Sequence, residues 1–447
     1  MIAEFLHARE IERYVEAVRE ALDTPELRPK AQLAAETIGR GASDPVAAVR
    51  ATLPVTAGPP SSGGHEDYPF FSRDSVVSLI QTSLEDEARI AGNVTTEPHE
   101  HGVKHFWHSL ERLLHIEKFG PDDPAWIYKI AEAMLDRLAK GNHAFNATPA
   151  QATMADNARL VLVGDWGSGL KRALKVAALM RGKIDEAKQE GREVHVIHLG
   201  DVYYSGDPVE YQRHVLAPDR WPVLPGEQGV HSWALMGNHD MYSGGYGFYD
   251  TLLADPRFKP QSGNGSGTSF FRLSSQAWDV AGLDTSWDPN VLSLGQRGVL
   301  EDPQADVLDG WANDGRKLLV LTHHQLVSAY DLGDLGTVLP YKLQSLLKAG
   351  RIDAWIWGHE HRNMGFGAVP DAPPVITCLG NGGVPMPESH MKDPPPPPGT
   401  WQSKETFTDD DGTWIRFGYA VLDFDGATVS ASYYDDTDPQ PVHTETF

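Results

Sequence analysis

Apolar residues in the first 150 positions recur with the spacing of amphipathic helices. A repeat of three to four residues, which places side chains on one helix face, covers four stretches: 2–22, 73–91, 104–118 and 125–140. A loop rich in proline, glycine and serine, TAGPPSSGGHEDYP, separates the first stretch from the others at 56–69. Since no strand pattern precedes Arg159, we predict a helical N-terminal domain over residues 1–150.

The pattern changes at Arg159 to short apolar runs that each end in a polar cluster. These runs are RLVLV, EVHVIHL, HSWALM, QAWDVAGL, KLLVLT and IDAWIW, and a helical stretch, LKRALKVAALMRGKIDEAKQE, follows the first of them. Alternating strands, polar loops and helices are typical of layered α/β structure. The tail IRFGYAVLDFDGATVSASYYDD predicts two strands around Asp-Gly, a hairpin that would complete a sheet. We therefore predict a second, α/β domain over residues 155–447.

Composition narrows the function classes. The chain carries 62 acidic and 38 basic residues, and its net charge of −24 argues against nucleic acid as the main partner. The single cysteine, Cys378, excludes an internal disulfide or a thiolate zinc cluster within one chain, and we expect it to be a small buried hydrophobic residue. The N-terminus lacks the features of a signal peptide, and no segment resembles a membrane span. We therefore expect a cytoplasmic protein without a membrane partner.

Polar clusters follow five of the predicted strands, at the end where functional groups collect in α/β proteins. They are GDWG with Asp165, GDVYY with Asp201 and Tyr204, GNHD with Asn238 and His239, VLTHH with His323, and GHEH with His359 and His361. One such cluster alone is the ordinary composition of a turn. Five together bring carboxylates, an amide, a phenol and imidazoles to one sheet edge, and this donor set suits manganese, iron or zinc. Two ions held about 3.5–4 Å apart would form the clamp that phosphoryl-transfer enzymes use.

The order of these clusters, GD-x-G, GD-x-x-Y, GNH-D, V-x-x-H and GH-x-H, resembles the calcineurin-like metallophosphoesterase superfamily. Within it the set is most similar to the purple acid phosphatases, and the resemblance covers about residues 159–435. It implies an α/β (α+β layered) catalytic domain, a four-layer α/β/β/α metallophosphoesterase sandwich preceded by the helical domain. Gly167 stands where most of the superfamily has a metal-binding histidine, and Tyr204 stands where the purple acid phosphatases supply a tyrosinate.

By this resemblance two metal ions share the site. The first would be held by Asp165, Asp201, Tyr204 and His361, and the second by Asp201 as the bridge with Asn238, His323 and His359. A phenolate favours a hard trivalent ion, which indicates iron(III) beside Tyr204 and iron, manganese or zinc in the second position. The family spacing from Val320 selects His323 as the ligand, so that His324 is a candidate substrate contact or supporting group.

The resemblance implies hydrolysis of phosphoesters, either monoesters, diesters or both. A metal-bound hydroxide would attack phosphorus, while His239 would contact the phosphate and protonate the leaving oxygen. Asp240 either orients His239 or caps the next turn. A catalytically inactive binding scaffold with the same fold is the alternative, and an oxidative di-iron protein, whose ligands usually come from bundle helices, is a third hypothesis.

Three features bear on the substrate side. Purple acid phosphatases carry further histidines beyond the V-x-x-H block, whereas SAYDLGDLG has none here, and Gln325 stands where a proline is frequent. A second histidine cluster predicts a polar helix face, a separate metal site or a cover over the pocket: His99, His101, His105, His108 and His115. Lys171 and Arg172, at the start of a predicted helix, are either solvated or attract phosphate. The substrate, the oligomeric state and the role of residues 1–150 stay open.

Overall fold

The computed structural model describes the chain from residue 133 onward, with gaps. The described residues are 133, 136–137, 139–263, 267–288, 298–328, 339–386, 388, 399–409, 412–437 and 440–447. Ala139 and Lys140 are helical, in agreement with the helix predicted over 125–140. The other helices predicted in the N-terminal domain, and the histidine cluster at 99–115, lie outside the described residues.

One sheet combines the first three predicted strands of the α/β region with the C-terminal hairpin. Its six strands are β2 Arg159–Val163, β3 Val194–His198, β4 Val230–Ala234, β14 Gly418–Asp425, β15 Thr428–Asp435 and β16 His443–Thr446. They stand in the order β16-β15-β14-β2-β3-β4. β2, β3 and β4 are parallel, with Arg159 opposite Val194 and Val194 opposite Val230. β14 and β15 are antiparallel, which confirms the hairpin predicted around Asp-Gly.

A second sheet has eight strands, and a separate two-stranded hairpin follows it in the chain. The strands are β1 Ala150–Thr153, β5 Phe271–Ser274, β6 Trp278–Gly282, β7 Lys317–Thr322, β8 Ala354–Trp357, β9 Asn363–Phe366, β10 Val375–Leu379 and β11 Gly399–Gln402, with β12 Thr406–Asp409 and β13 Gly412–Ile415 in the hairpin. The order in the sheet is β1-β5-β6-β7-β8-β10-β9-β11, and β6, β7, β8 and β10 are parallel. The expectation of no strand before Arg159 is wrong, because β1 is a short edge strand whose residues, AQAT, carry little hydrophobic pattern.

Seven α-helices follow β2 in the described part of the chain. They are α1 Lys171–Gln189, α2 Pro208–Glu210, α3 Asn238–Tyr242, α4 Lys259–Ser262, α5 Asp302–Ala312, α6 Leu339–Lys342 and α7 Gln344–Lys348. The predicted helix after β2 is α1, which buries Ala173, Val176, Met180 and Ile184, a spacing of three to four residues along one face. None of the described helices is long and apolar enough to span a lipid bilayer.

Successive side chains of β2 pack alternately in two different cores, which shows how the layers are arranged. Leu160 and Leu162 belong to the core between the two sheets, while Val161 and Val163 pack in the core beneath α1. A third core covers the outer face of the eight-stranded sheet against α5 and contains Cys378, buried as expected. The order of layers is helix, sheet, sheet, helix, and it confirms the predicted α/β/β/α sandwich.

Candidate metal centre

The predicted ligands lie in loops that directly follow parallel strands of both sheets. Asp165 follows β2, Asp201 follows β3, and Asn238 begins α3 after β4. In the other sheet His323 follows β7, and His359 follows β8. Because the carboxyl ends of these strands meet at one edge of the sandwich, residues that are far apart in the sequence become neighbours.

Four of the predicted ligands adopt a left-handed backbone conformation. The φ angle is 56° at Asp165, 71° at Asp201, 67° at His359 and 43° at His361. Residues with a Cβ atom avoid this region, at a cost of about 1 kcal/mol or more each. This conformation turns the chain sharply after each strand, and its concentration at one place is typical of a functional site.

Two glycines allow the ligand loops to approach one another closely. A Cβ atom on Gly237 would lie 2.0 Å from Asp201 Oδ1, and one on Gly358 would lie 2.7 Å from Asp165 Oδ2. Any larger residue at either position would overlap a carboxylate, which explains why glycine precedes Asn238 and His359.

One group of donors gathers around the phenol of Tyr203. Its hydroxyl oxygen lies 2.8 Å from Asp165 Oδ1, 3.2 Å from Asp201 Oδ2 and 2.9 Å from His361 Nε2. His361 Nε2 is also 3.3 Å from Asp165 Oδ1. All four side chains are buried. Two carboxylates, a phenol and an imidazole therefore converge on one point.

A second group of donors shares Asp201 with the first. His323 Nε2 lies 3.3 Å from Asp201 Oδ2 and 3.0 Å from Asn238 Oδ1. His323 Nδ1 lies 3.0 Å from the carbonyl oxygen of Leu199, and Asn238 Nδ2 donates to the Tyr242 hydroxyl at 2.8 Å. These outer hydrogen bonds turn the ring nitrogen and the amide oxygen toward the shared carboxylate, as partners of metal ligands commonly do.

His359 and His324 lie beside this second group. The ring centroids of His323 and His359 are 5.1 Å apart, and those of His324 and His359 are 4.8 Å apart. One ring nitrogen from each of these three histidines lies within 4.8 Å of the others, and the same holds for ligand atoms of Asp165, Asp201 and His323. The backbone N–H of His359 donates to Asp165 Oδ2 at 2.8 Å, which ties the two groups of donors together.

The ionisable groups of the cluster perturb one another strongly. Burial alone would raise the pKa of Asp201, but the imidazoles of His323, His239 and His359 hold this pKa well below its usual range. Burial alone would lower the pKa of His323, but Asp201 and Asp165 raise it to about 9. A buried pocket of carboxylates that draws positive charge this strongly has the electrostatics of a cation site.

His239 is fixed by the loop that carries the two tyrosines. Its Nδ1 lies 2.7 Å from the carbonyl oxygen of Tyr204 and therefore carries the ring hydrogen of the neutral form. Its Nε2 is 4.0 Å from Asp201 Oδ2, and its backbone N–H donates to Asp201 Oδ1 at 2.9 Å. The ring packs between the rings of Tyr203 and Tyr242, at centroid distances of 4.5 and 4.6 Å. His239 therefore presents Nε2 beside the shared carboxylate.

The structure shows capping, one of the two roles that the sequence left open for Asp240. The Asp240 carboxylate accepts four hydrogen bonds of 2.7–3.0 Å, from the backbone N–H groups of Gly237, Asp201 and Val202 and from the hydroxyl of Tyr211. Within the described part of the chain, none of its contacts reaches the ring of His239. Burial and the charge of Asp201 raise the pKa of Asp240 to about 6. Asp240 therefore holds the loops after β3 and β4 together.

The two tyrosines of GDVYY differ in their relation to the donors. Tyr203 places its hydroxyl among the first group of donors. Tyr204, the residue at the family spacing, borders the site through its backbone: its N–H donates to Glu210 Oε1 at 2.6 Å, and its carbonyl faces His239. Direct metal binding by Tyr204 stays a prediction.

Sequence reasoning missed several residues that support the site. Besides Tyr203, these are Glu210, which accepts the backbone N–H groups of Tyr204 and Ser205, Tyr242, which orients Asn238, and Thr285, which contacts His324. Only the phenol next to a motif position gave a local signal. The others lie outside the motifs or bind backbone atoms, so that no spacing in the sequence marks them.

Lys171 and Arg172 stand at the start of α1, and the structure shows what each of them contacts. The guanidinium group of Arg172 lies 3.4 Å from the ring centroid of Phe407 and forms an ion pair with Asp436. Lys171 is exposed. Arg172 therefore holds the C-terminal part of the chain against α1, and Lys171 is solvated.

The donor set fits two cations. Carboxylate, amide and phenol oxygens together with imidazole nitrogens are the ligands of manganese, iron and zinc. In addition, His323 Nε2 faces two oxygen acceptors, on Asp201 and Asn238, and this contact requires either a proton or a cation at the nitrogen. The two donor groups share Asp201, whose carboxylate has two oxygens with which to bridge neighbouring ions.

Two sheets packed face to face, with such donors at the strand ends of both, define a metallophosphoesterase fold. The family model of the calcineurin-like phosphoesterases matches residues 158–363, a range that contains every predicted metal ligand. This part of the chain is therefore similar to the calcineurin-like phosphoesterase domain. No curated protein sequence matches the chain.

Several solved structures are similar to this chain at low sequence identity. The purple acid phosphatase PPD1 from yellow lupin is 14% identical over 67% of this chain and 54% of its own, with a TM-score of 0.44. A dimetal phosphatase from Danio rerio is 15% identical over 65% of this chain and 98% of its own, with a TM-score of 0.39. GAP50, described as the anchor in the inner membrane complex of Plasmodium, is 15% identical over 65% and 88%, with a TM-score of 0.41. Similarities at this level do not extend to substrate or partner.

Proposed function

We propose that this protein hydrolyses phosphoesters, monoesters, diesters or both, at a centre of two metal ions. The observation that carries the proposal is the convergence of two carboxylates, an amide and three imidazoles in one buried site of a domain similar to the calcineurin-like phosphoesterases. The two cations, when bound, would supply the acidity that activates a water molecule and the charge that neutralises the phosphoryl oxygens.

Asp201 would bridge the two ions, because both donor groups share its carboxylate. The remaining ligands would be Asp165, His361 and a tyrosine for the first ion, and Asn238, His323 and His359 for the second. We take Tyr203 as the tyrosine because its hydroxyl lies within 3.2 Å of three other donors, with Tyr204 as the alternative. A phenolate favours iron(III) in the first position, with iron, manganese or zinc in the second.

His239 would deliver the proton to the leaving oxygen. The carbonyl of Tyr204 holds Nδ1–H, so that Nε2 is the nitrogen that exchanges a proton with the substrate. Asp240 acts on this step only by fixing the loop from which His239 projects. A positioned acid of this kind contributes about 10²–10⁴-fold to turnover.

Metal analysis combined with a panel of esters tests the proposal. We expect two metal equivalents per chain and hydrolysis of p-nitrophenyl phosphate, of bis(p-nitrophenyl) phosphate or of both. His239→Ala should keep both metals and lose about 10²–10⁴-fold in turnover, since it removes the acid and none of the ligands. Wild-type protein that binds both ions and hydrolyses none of the esters would instead indicate the inactive binding scaffold.

A further inference from the structure

His324 and Thr285 form a buried pair beside the candidate metal centre, and the proposed hydrolysis assigns no role to either residue. Thr285 Oγ1 lies 2.9 Å from His324 Nδ1 and accepts the backbone N–H of His324 at 3.2 Å. Thr322 Oγ1 donates to the carbonyl of His324 at 2.7 Å. Both His324 and Thr285 are 0% exposed. The imidazole is therefore held through its ring and through its backbone.

The loop that carries Thr285, residues 283–287, is itself fixed by contacts with both sheets. Asp284 Oδ1 accepts the backbone N–H groups of Ser286 and Trp287 at 2.9 and 3.0 Å. Ser286 Oγ donates to the carbonyl of Met236, which follows β4, at 3.0 Å. These bonds set the position of the Thr285 hydroxyl independently of His324.

The hydrogen bonds of Thr285 bear on which nitrogen of His324 carries a hydrogen. Oγ1 already accepts a backbone N–H, and within the described residues Nδ1 is the one acceptor beside its proton. A hydroxyl that donates to Nδ1 has its proton satisfied, and the ring hydrogen of neutral His324 then resides on Nε2. A nitrogen that carries hydrogen donates a hydrogen bond and does not bind a metal ion.

We infer that His324 binds the phosphoryl group of the substrate as a hydrogen-bond donor, and that Thr285 is the residue that positions it for this task. The alternative is a third imidazole ligand, since a ring nitrogen of His324 lies within 4.8 Å of ring nitrogens of His323 and His359. Its ring centroid is 5.0 Å from that of His323 and 4.8 Å from that of His359, so the imidazole lies beside two proposed ligands of the second ion. The inference rests on the proposed function and adds a specific contact to a tetrahedral oxyanion.

Three variants separate these roles in the full-length, metal-loaded protein. Thr285→Val removes the hydroxyl and keeps the shape, Thr285→Ser keeps the hydroxyl, and His324→Ala removes the imidazole. Inorganic phosphate is titrated by isothermal calorimetry, metal content is measured, and kcat and KM are compared on p-nitrophenyl phosphate. We expect two metals in every variant and phosphate affinity roughly tenfold weaker in Thr285→Val and His324→Ala, the usual effect of one lost hydrogen bond to a charged group.

The remaining outcomes follow from the same logic. KM should rise more than kcat falls in Thr285→Val, and Thr285→Ser should restore the wild-type values. The double variant Thr285→Val/His324→Ala should bind phosphate no more weakly than His324→Ala alone, because the two residues act as one unit. Loss of one metal equivalent in His324→Ala would overturn the inference in favour of a ligand role. Unchanged phosphate affinity in Thr285→Val would overturn the positioning role. Phosphate binding is read without turnover, so a wild-type protein that fails to hydrolyse esters contradicts the proposed function alone.

Discussion

We proposed Tyr203 as the tyrosine that would hold the first metal ion. Iron(III) bound to a phenolate would colour the protein through a phenolate-to-iron transition. We expect Tyr203→Phe to abolish the visible absorption of the iron-loaded protein. The substitution removes the Tyr203 hydroxyl, which lies within 3.2 Å of Asp165 Oδ1, Asp201 Oδ2 and His361 Nε2. Tyr204→Phe is the matched control and should stay coloured. The reverse result, measured by visible absorption at equal iron content, would return the ligand role to Tyr204.

Backbone strain at the residue scale is concentrated where the ligands lie. Asp165 and Asp201 are held in the left-handed region while their carboxylates accept backbone N–H groups of His359 and His239 at 2.8 and 2.9 Å. Each of these hydrogen bonds to a charged group contributes about 1.5–3 kcal/mol, which offsets a conformational cost of about 1–3 kcal/mol. These hydrogen bonds therefore orient both carboxylates.

At the scale of elements, the loops after β3 and β4 depend on the absence of a side chain at Gly237. Gly237→Ala should cost both metal ions and at least about 100-fold in turnover, because its Cβ atom would lie 2.0 Å from Asp201 Oδ1, on the carboxylate that both ions share. Metal content and ester hydrolysis measure the effect.

A matched control for this substitution lies inside α1. A Cβ atom on Gly182 would meet nothing within 4 Å, so Gly182→Ala should keep both metals and stabilise the helix by about 0.5–1 kcal/mol. Full metal content in Gly237→Ala would show that the loops can separate without losing the site.

In the loop after β6, the buried carboxyl of Asp284 should make the stability of the folded protein depend on pH. Burial raises the pKa of Asp284 to about 6 in the folded protein. A carboxyl whose folded-state pKa lies above its unfolded value binds more protons when folded, so its contribution to stability falls as pH rises from about 4 to 6, by about 3 kcal/mol in all. Asp284→Asn removes this ionisation, and its stability relative to wild type should increase over that pH interval.

Thermal unfolding of the metal-depleted protein between pH 4 and pH 7 tests this expectation. The difference between the two midpoints is the informative quantity, because every other titrating group contributes equally to both proteins. A difference that stays constant with pH would contradict a raised pKa at Asp284.

At the scale of the whole molecule, the proposed metal centre would join the two sheets, since its predicted ligands follow β2, β3 and β4 on one side and β7 and β8 on the other. Ions that bind only the folded chain stabilise it, by about 2.7 kcal/mol per site at a free concentration 100 times the dissociation constant. Chelation should therefore lower the midpoint of thermal unfolding, and added metal should restore it. Asp201→Asn, which removes the bridging charge, should lose this response; a chelator-dependent shift that persists in the variant would contradict the bridge.

Much of the fold could be predicted because its signals are local. The apolar runs of β2, β3, β7 and β8 are buried on both faces, so each reads as a strand without knowledge of its neighbours. The helical repeat of α1 and the Asp-Gly hairpin are local in the same sense. β1 escaped prediction because an edge strand of four residues is defined by its pairing with β5, which lies more than 100 positions away.

The sequence by itself determined the inventory of the site: which carboxylates, amide and imidazoles follow which strands, and the family that their order resembles. Only the tertiary structure decided which of two adjacent phenols meets the donors, what Asp240 holds, and that Thr285 contacts His324. The physical reason is that a motif specifies a residue and its place along a strand. The direction of a loop side chain, and the partner it meets, depend on φ angles and neighbours supplied by distant parts of the chain.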